Sequence, residues 1–185
     1  DTAQAASTAA DVEAVEPVTD TEATTIPEGT LWLPAEGAPY AQPEDMNLDG
    51  TATAYFAVIE TISGTIRAEL WPEVAPAHVN SYVFLAREGF FDGLTFHRVE
   101  SWVVQGGDPN GDGSGGPGYS LPAEFNADNP INHRYGTLAM ARTGDNVNSG
   151  GSQFYFVTDP AGAPFLDGQY TVFGHVVEGM DIVSA

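Results

Sequence analysis

The feature that most constrains this chain is the length of its apolar runs. From residue 53 to residue 177 they are short and rich in β-branched and aromatic residues. Loops heavy in glycine, of which the chain has 21, separate them. Residues 53–62 and 65–70 flank Ser63-Gly64 and predict a hairpin. Further short strands are predicted over 94–98, 103–105, 136–140, 153–157 and 170–177. One stretch has helical spacing instead. Residues 73–88, bounded by Pro72 and Gly89, carry Val79, Tyr82, Val83 and Ala86 at three–four intervals. Many short strands with one or two helices predict a mainly β domain, a closed antiparallel barrel.

Charge narrows the function classes. The 185 residues hold 26 acids, five arginines and no lysine, for a formal net charge of −21. Such a surface repels nucleic acid and anionic membrane, so neither is expected as a partner. No apolar run approaches the roughly 20 residues that span a bilayer. There is no cysteine, which excludes disulfides and thiolate chemistry.

Eleven of the acids lie in residues 1–51, which contain no arginine; the other 15 and all five arginines lie in 52–185. The expected organisation is an acidic extension over 1–51 and a folded domain over 52–185. Residues 1–30 are too poor in large apolar groups to fold alone. Leu31, Trp32, Leu33, Tyr40 and Met46 instead suit an extended arm that packs on something. A protein partner contacting residues 1–50 is one expectation. An exported, extracytoplasmic setting is expected from the acidic, lysine-free start.

The candidate chemistry comes from polar groups stranded among apolar strands. Arg98 sits in a strand context, Gln105 ends the next strand and Gln153 precedes Phe154-Tyr155-Phe156. Buried strands avoid such groups unless they are hydrogen-bonded. The set offers donors and amides but no nucleophile–base pair. No serine has a nucleophile-elbow context, and the four histidines lack metal-ligand spacing. The run Gly106–Gly113 lacks the Lys-Ser/Thr of a phosphate loop. Read as calcium loops, this run and the one from Asp45 would have Tyr119 and Phe56 at the twelfth position, not glutamate.

Together these blocks match a family. Phe96-His97-Arg98-Val99, Gln105-Gly106-Gly107-Asp108 and Gly115-Gly116-Pro117-Gly118-Tyr119 are followed by residues 136–141. Ser152-Gln153-Phe154-Tyr155, Leu166-Asp167-Gly168 and Val172-Phe173-Gly174 then complete the series. Their order and spacing resemble the cyclophilin-type peptidyl-prolyl cis/trans isomerases, with a bacterial flavour. The resemblance implies a closed eight-stranded antiparallel barrel capped by two helices, acting without cofactor or metal on Xaa-Pro bonds of proline-containing peptides and so assisting folding. A cyclophilin-fold structural subunit tethered by its N-terminal arm is the alternative.

Position by position, the resemblance puts Arg98 and Gln105 in catalytic places. It puts Trp102, Val103, Ala141, Arg142, Gln153, Tyr155, Phe165, Leu166 and Tyr170 in substrate-binding ones. Several positions depart from the family. Glu100-Ser101-Trp102 replaces a Pro-Gly-Phe segment and is one residue shorter. The loop over 143–151 is about two residues longer. Phe165 stands where cyclosporin-sensitive members carry Trp, and Tyr170 where many have His. The family continues past residues 179–183 with one more strand. In this chain either that strand is lacking or another segment closes the barrel.

Overall fold

A computed structural model describes residues 7–15, 33–34, 40, 42–46, 48, 54–125 and 131–185, the first two segments as backbone only. Leu31, Trp32, Asn47, Asp49 and Gly50 lie outside the described residues, as does most of the stretch expected to be disordered. In chain order the elements are β1 (Ser7–Val15), β2 (Leu33–Pro34), β3 (Ala54–Thr61), β4 (Gly64–Leu70), α1 (Pro76–Arg87), β5 (Arg98–Glu100) and β6 (Val103–Gly106). Then come β7 (Tyr119–Ser120), β8 (Thr137–Met140), β9 (Phe154–Val157), a 3-10 turn at Pro164–Leu166, β10 (Val172–Glu178) and α2 (Met180–Val183).

Eight strands form one antiparallel sheet in the order β1-β3-β4-β10-β8-β9-β6-β5, and β2 pairs with β7 separately. The fold is mainly β with two helices, as expected, but the expected closed barrel is corrected to an open sheet. Among the described residues its edges are β1 and β5. β5 is only three residues long, with Val99 and Glu100 facing solvent, and among the described residues it pairs with β6 alone. Residues 7–15, which lack the side chains to fold by themselves, find a backbone partner in β3, with Val12 opposite Ala57. Among the described residues no helix is long and apolar enough to cross a membrane.

The predicted hairpin forms as β3 and β4. The 94–98 strand is displaced to Arg98–Glu100, because Phe90 and Leu94 pack instead at the edge of the core. Apart from Gln105 and Thr137, the central strands β6, β8 and β9 carry apolar residues or glycine on both faces. Val104, Leu138, Phe154 and Phe156 join the main core with Tyr82, Phe91 and Phe173. The alternate residues Val103, Ala139, Tyr155 and Val157 form a second cluster with Leu166 and Val172 on the opposite face. Period-two alternation is thereby hidden in these strands, as expected where both faces are covered.

Helix α1 starts at Pro76, whose missing N–H would have no intrahelical partner in any case. Ala75 at the N-cap supplies no side-chain bond. Glu124 does that work from 47 residues away: its carboxylate accepts from Ala77 N and His78 N, both at 2.9 Å, and from His78 Nδ1 at 2.6 Å. Residues of the arm cover the other side of the helix. Asn80, itself buried, accepts from Met46 N at 2.7 Å and donates to Glu44 O at 2.9 Å. Tyr40 meets Phe84 edge-on at 5.3 Å. This part of the arm therefore packs on its own domain, which is why every residue from Ala77 to Ala86 is buried.

Replacing Glu124 with Ala removes the cap and leaves His78 without its carboxylate. The expected loss is about 2–4 kcal/mol in urea unfolding, the sum of a lost cap and a lost charge-assisted bond. A loss below about 1 kcal/mol would show that α1 needs no cap from this loop.

Candidate active site

Cross-strand register assembles the site. Arg98 lies opposite Gln105, Gln105 opposite Tyr155, Tyr155 opposite Ala139 and Ala139 opposite Val172. Directly opposed residues share a face, so one row across five strands carries the arginine, an amide and an apolar floor. Above this floor is a cavity of about 190 Å³ lined by Arg98, Trp102, Val103, Gln105, Ala141, Arg142, Tyr155, Leu166 and Tyr170. That is on the order of the roughly 150 Å³ that accepts a benzene-sized ring.

Nine of the eleven residues expected at the site line this cavity. Gln153 lies beside it and lines a larger cleft of about 530 Å³, which shares Gln105, Ala141 and Arg142 with the first. Phe165 lines neither. It is 61% exposed and stacks edge-on against Trp102 at 5.3 Å, outside the pocket wall.

The polar groups form one directed chain. Arg98 Nη1 donates to Gln105 Oε1 at 3.3 Å, and Gln105 Nε2 donates to Gln153 Oε1 at 2.9 Å. Gln153 Nε2 donates to Gly113 O and Gly115 O at 2.9 and 2.8 Å. Both amides are thereby held in a single orientation. The receiving loop is organised by Asp108, a buried carboxylate that accepts backbone N–H groups of Asn110, Asp112 and Gly113. Gly115 passes so close that a Cβ there would collide with Asp108 Oδ1. The glycine-rich run after Gln105 thus acts as an anchor for Gln153.

Three residues at the site were not anticipated. Glu100 accepts from Arg98 Nε at 2.7 Å and from Trp102 Nε1 at 2.9 Å, and these two bonds hold its carboxyl below the usual range. It sits two residues from Arg98 in one strand, hence on the same face, a spacing visible in the sequence. His133 and Asp167 form the second unanticipated group. Asp167 Oδ1 accepts from His133 N at 2.7 Å and Nδ1 at 3.0 Å, while His133 Nε2 lies 3.0 Å from the Tyr155 hydroxyl. The carboxylate sets the Nδ1–H tautomer, so Tyr155 donates to Nε2. The floor residue Tyr155 is thereby tied to the turn that carries Leu166. No periodicity in the sequence pointed to this pairing.

Burial lowers the His133 pKa, against the opposing pull of Asp167. The folded state therefore resists protonating His133 more than the unfolded chain does. This contribution to stability is present above the unfolded value of about 6.5 and is lost as pH falls below it. The melting temperature is expected to fall between pH 6.5 and 5, and His133→Gln is expected to flatten that segment of the profile. An unchanged slope in the variant would contradict the assignment.

Known proteins resemble this chain over the folded domain. The model of the family "Cyclophilin type peptidyl-prolyl cis-trans isomerase/CLD" matches residues 56–185. A peptidyl-prolyl cis-trans isomerase of Synechococcus elongatus is 50% identical over 119 residues, 64% of this chain and 77% of that protein. Peptidyl-prolyl cis-trans isomerase B of Bacillus subtilis is 47% identical over 130 residues, 70% of this chain and 86% of the relative. The crystal structure of a Cryptosporidium parvum cyclophilin-type isomerase, solved in the presence of the dipeptide Ala-Pro, superposes with a TM-score of 0.63 at 28% identity. The match covers 69% of this chain and 82% of that one. A family match over most of the chain and relatives near half identity lead to one conclusion: this chain belongs to the cyclophilin-type peptidyl-prolyl cis/trans isomerases.

Proposed function

We propose that Arg98 is the catalytic group of this isomerase and that the 190 Å³ cavity holds the proline ring. Rotation about an amide is slow because the C–N bond has double-bond character, with a barrier of about 18–20 kcal/mol. Prolyl bonds left alone interconvert over tens to hundreds of seconds. No covalent bond breaks, so the site needs no nucleophile. It needs a donor that meets the nitrogen as it loses conjugation and becomes pyramidal.

The observation that carries this reading is the state of the Arg98 guanidinium. Nε is committed to Glu100 and Nη1 to Gln105, while Nη2 has no partner among the described residues. The fork is held from two sides with one edge left for substrate. Val103, Tyr155 and Leu166 supply the apolar contacts for the ring, and Trp102 and Tyr170 flank it. Peptide on either side of the proline lies along Ala141 and Arg142, with Gln105 and Gln153 offering the amide edge. The ring is thereby gripped while the preceding carbonyl swings. Donors fixed in advance cost no reorganisation when the twisted state forms. Gain accrues only from bonds stronger in that state than in the planar one.

A charge-assisted hydrogen bond contributes roughly 1.5–3 kcal/mol. If two form only in the twisted amide, Arg98→Ala lowers kcat/KM by about a hundredfold to ten-thousandfold. NMR exchange spectroscopy on a proline tetrapeptide measures this directly, with near-UV circular dichroism checking the fold. A folded Arg98→Ala variant retaining more than about a third of wild-type activity would sink the assignment.

A further inference from the structure

The two arginines at the pocket differ in their counter-charges. Arg98 is neutralised by Glu100 at 2.7 Å. Arg142, half-buried across the cavity, has no carboxylate within ion-pair distance among the described residues. Its partners are neutral. Nε donates to Gln169 O at 3.0 Å, Nη1 donates to Thr143 O at 2.8 Å, and the guanidinium lies over the Tyr170 ring at 4.4 Å from its centroid. Carbonyls and an aromatic face orient a guanidinium without cancelling its charge. The cation is held in place in advance, so little side-chain freedom is lost when an anion meets it.

Its position gives that charge a use. Arg142 lines both the cavity assigned to the proline ring and the adjoining cleft of about 530 Å³. The rest of the cleft wall is glycine, amide and hydroxyl, including Ser114 and Ser149, with Pro117 and Ala141 and no carboxylate. Asp112 and Asp145 are on flanking loops, where bonds from Ser114 and Thr143 respectively orient their carboxylates away from an ion pair with Arg142. In a chain of net charge −21, the junction of the two cavities thus holds a guanidinium that no carboxylate pairs with among the described residues. Extended peptide advances about 3.3 Å per residue, so residues next to a bound proline fall within reach of the cleft.

Resting on the isomerase reading above, we propose that Arg142 is a specificity-determining residue that selects substrates bearing a carboxylate side chain within two residues of the isomerised proline. The carboxylate would lie in the larger cleft against the free edge of the guanidinium, where a charge-assisted bond forms without breaking an existing ion pair.

The test uses the full chain at pH 7 and about 0.15 M salt, where the Debye length of about 8 Å screens the remote acids but not a direct contact. NMR exchange rates are measured for proline peptides carrying Glu, Gln or Lys at each of the two positions before and after proline. At one placement or more, Glu is expected to exceed Gln in kcat/KM by roughly three- to tenfold, mainly through KM, with Lys lowest. The readout is the Glu/Gln ratio, not the absolute rate. Arg142→Gln should bring it near one, and Arg142→Lys should restore part of it. A ratio near one at every placement in the wild type would overturn the proposal, as would a ratio that persists in Arg142→Gln. If a folded wild type turned over none of the peptides, the isomerase reading itself would fall, and this inference with it.

Discussion

The site depends on the register of the central strands. Opposite residues share a face, so one pairing scheme sends Val104, Phe156 and Leu138 inward to the main core and Arg98, Gln105, Tyr155 and Ala139 outward to the pocket. A slip of one residue in β6 would turn Gln105 toward the phenylalanines of the core, and one in β9 would exchange Tyr155 with Phe154 or Phe156. The main core therefore does more than stabilise the domain. Packing Phe154 against Tyr82 and Phe91, and Phe156 against Phe154 and Phe96, commits the outward row to its place. This also explains how an open sheet can hold a well-defined site: the row runs from the edge strand β5 inward to β10, and its place is set by strand pairing rather than by closure.

On that row the electrostatics are layered. Arg98 is a fixed cation whose neighbours define its free edge: Glu100 on one side, and the Gln105–Gln153 amide chain ending in the Gly113 and Gly115 carbonyls on the other. Glu100 also holds the Trp102 indole. The shortened segment between β5 and β6 therefore keeps an aromatic wall by a polar bond. On the far wall, His133 joins Tyr155 to Asp167 and so to the 3-10 turn bearing Leu166. Each wall of the cavity is tied to its floor by side chains that the substrate need not touch.

Much of this was legible in the sequence and some was not, for physical reasons. Arg98, Gln105 and Gln153 stood out because a polar residue in an apolar strand must find a partner. Their partners turned out to be one another. The hairpin and α1 were visible from turn chemistry and three–four spacing. The cap from Glu124 was not, since it arrives from 46–47 residues away in sequence. The His133–Tyr155 bond escaped for the same reason, spanning 22 residues between separate loops and strands. Barrel closure was overstated because alternation tells which way side chains point, not whether the last strand meets the first. Only long-range backbone pairing decides that, and β5 is too short to offer much of it.

The central claim is that a rigid guanidinium fork, not merely a positive charge, stabilises the twisted amide. The most direct test is the prolyl exchange rate of Arg98→Lys. Lysine keeps the charge but cannot bond Glu100 and Gln105 while presenting a further N–H at a fixed angle. On this account the variant folds normally and loses at least about a hundredfold in kcat/KM, the loss expected when roughly 3 kcal/mol of transition-state bonding disappears. A lysine variant retaining half or more of wild-type turnover would show that charge alone suffices, and would contradict a catalytic role for the geometry of the row.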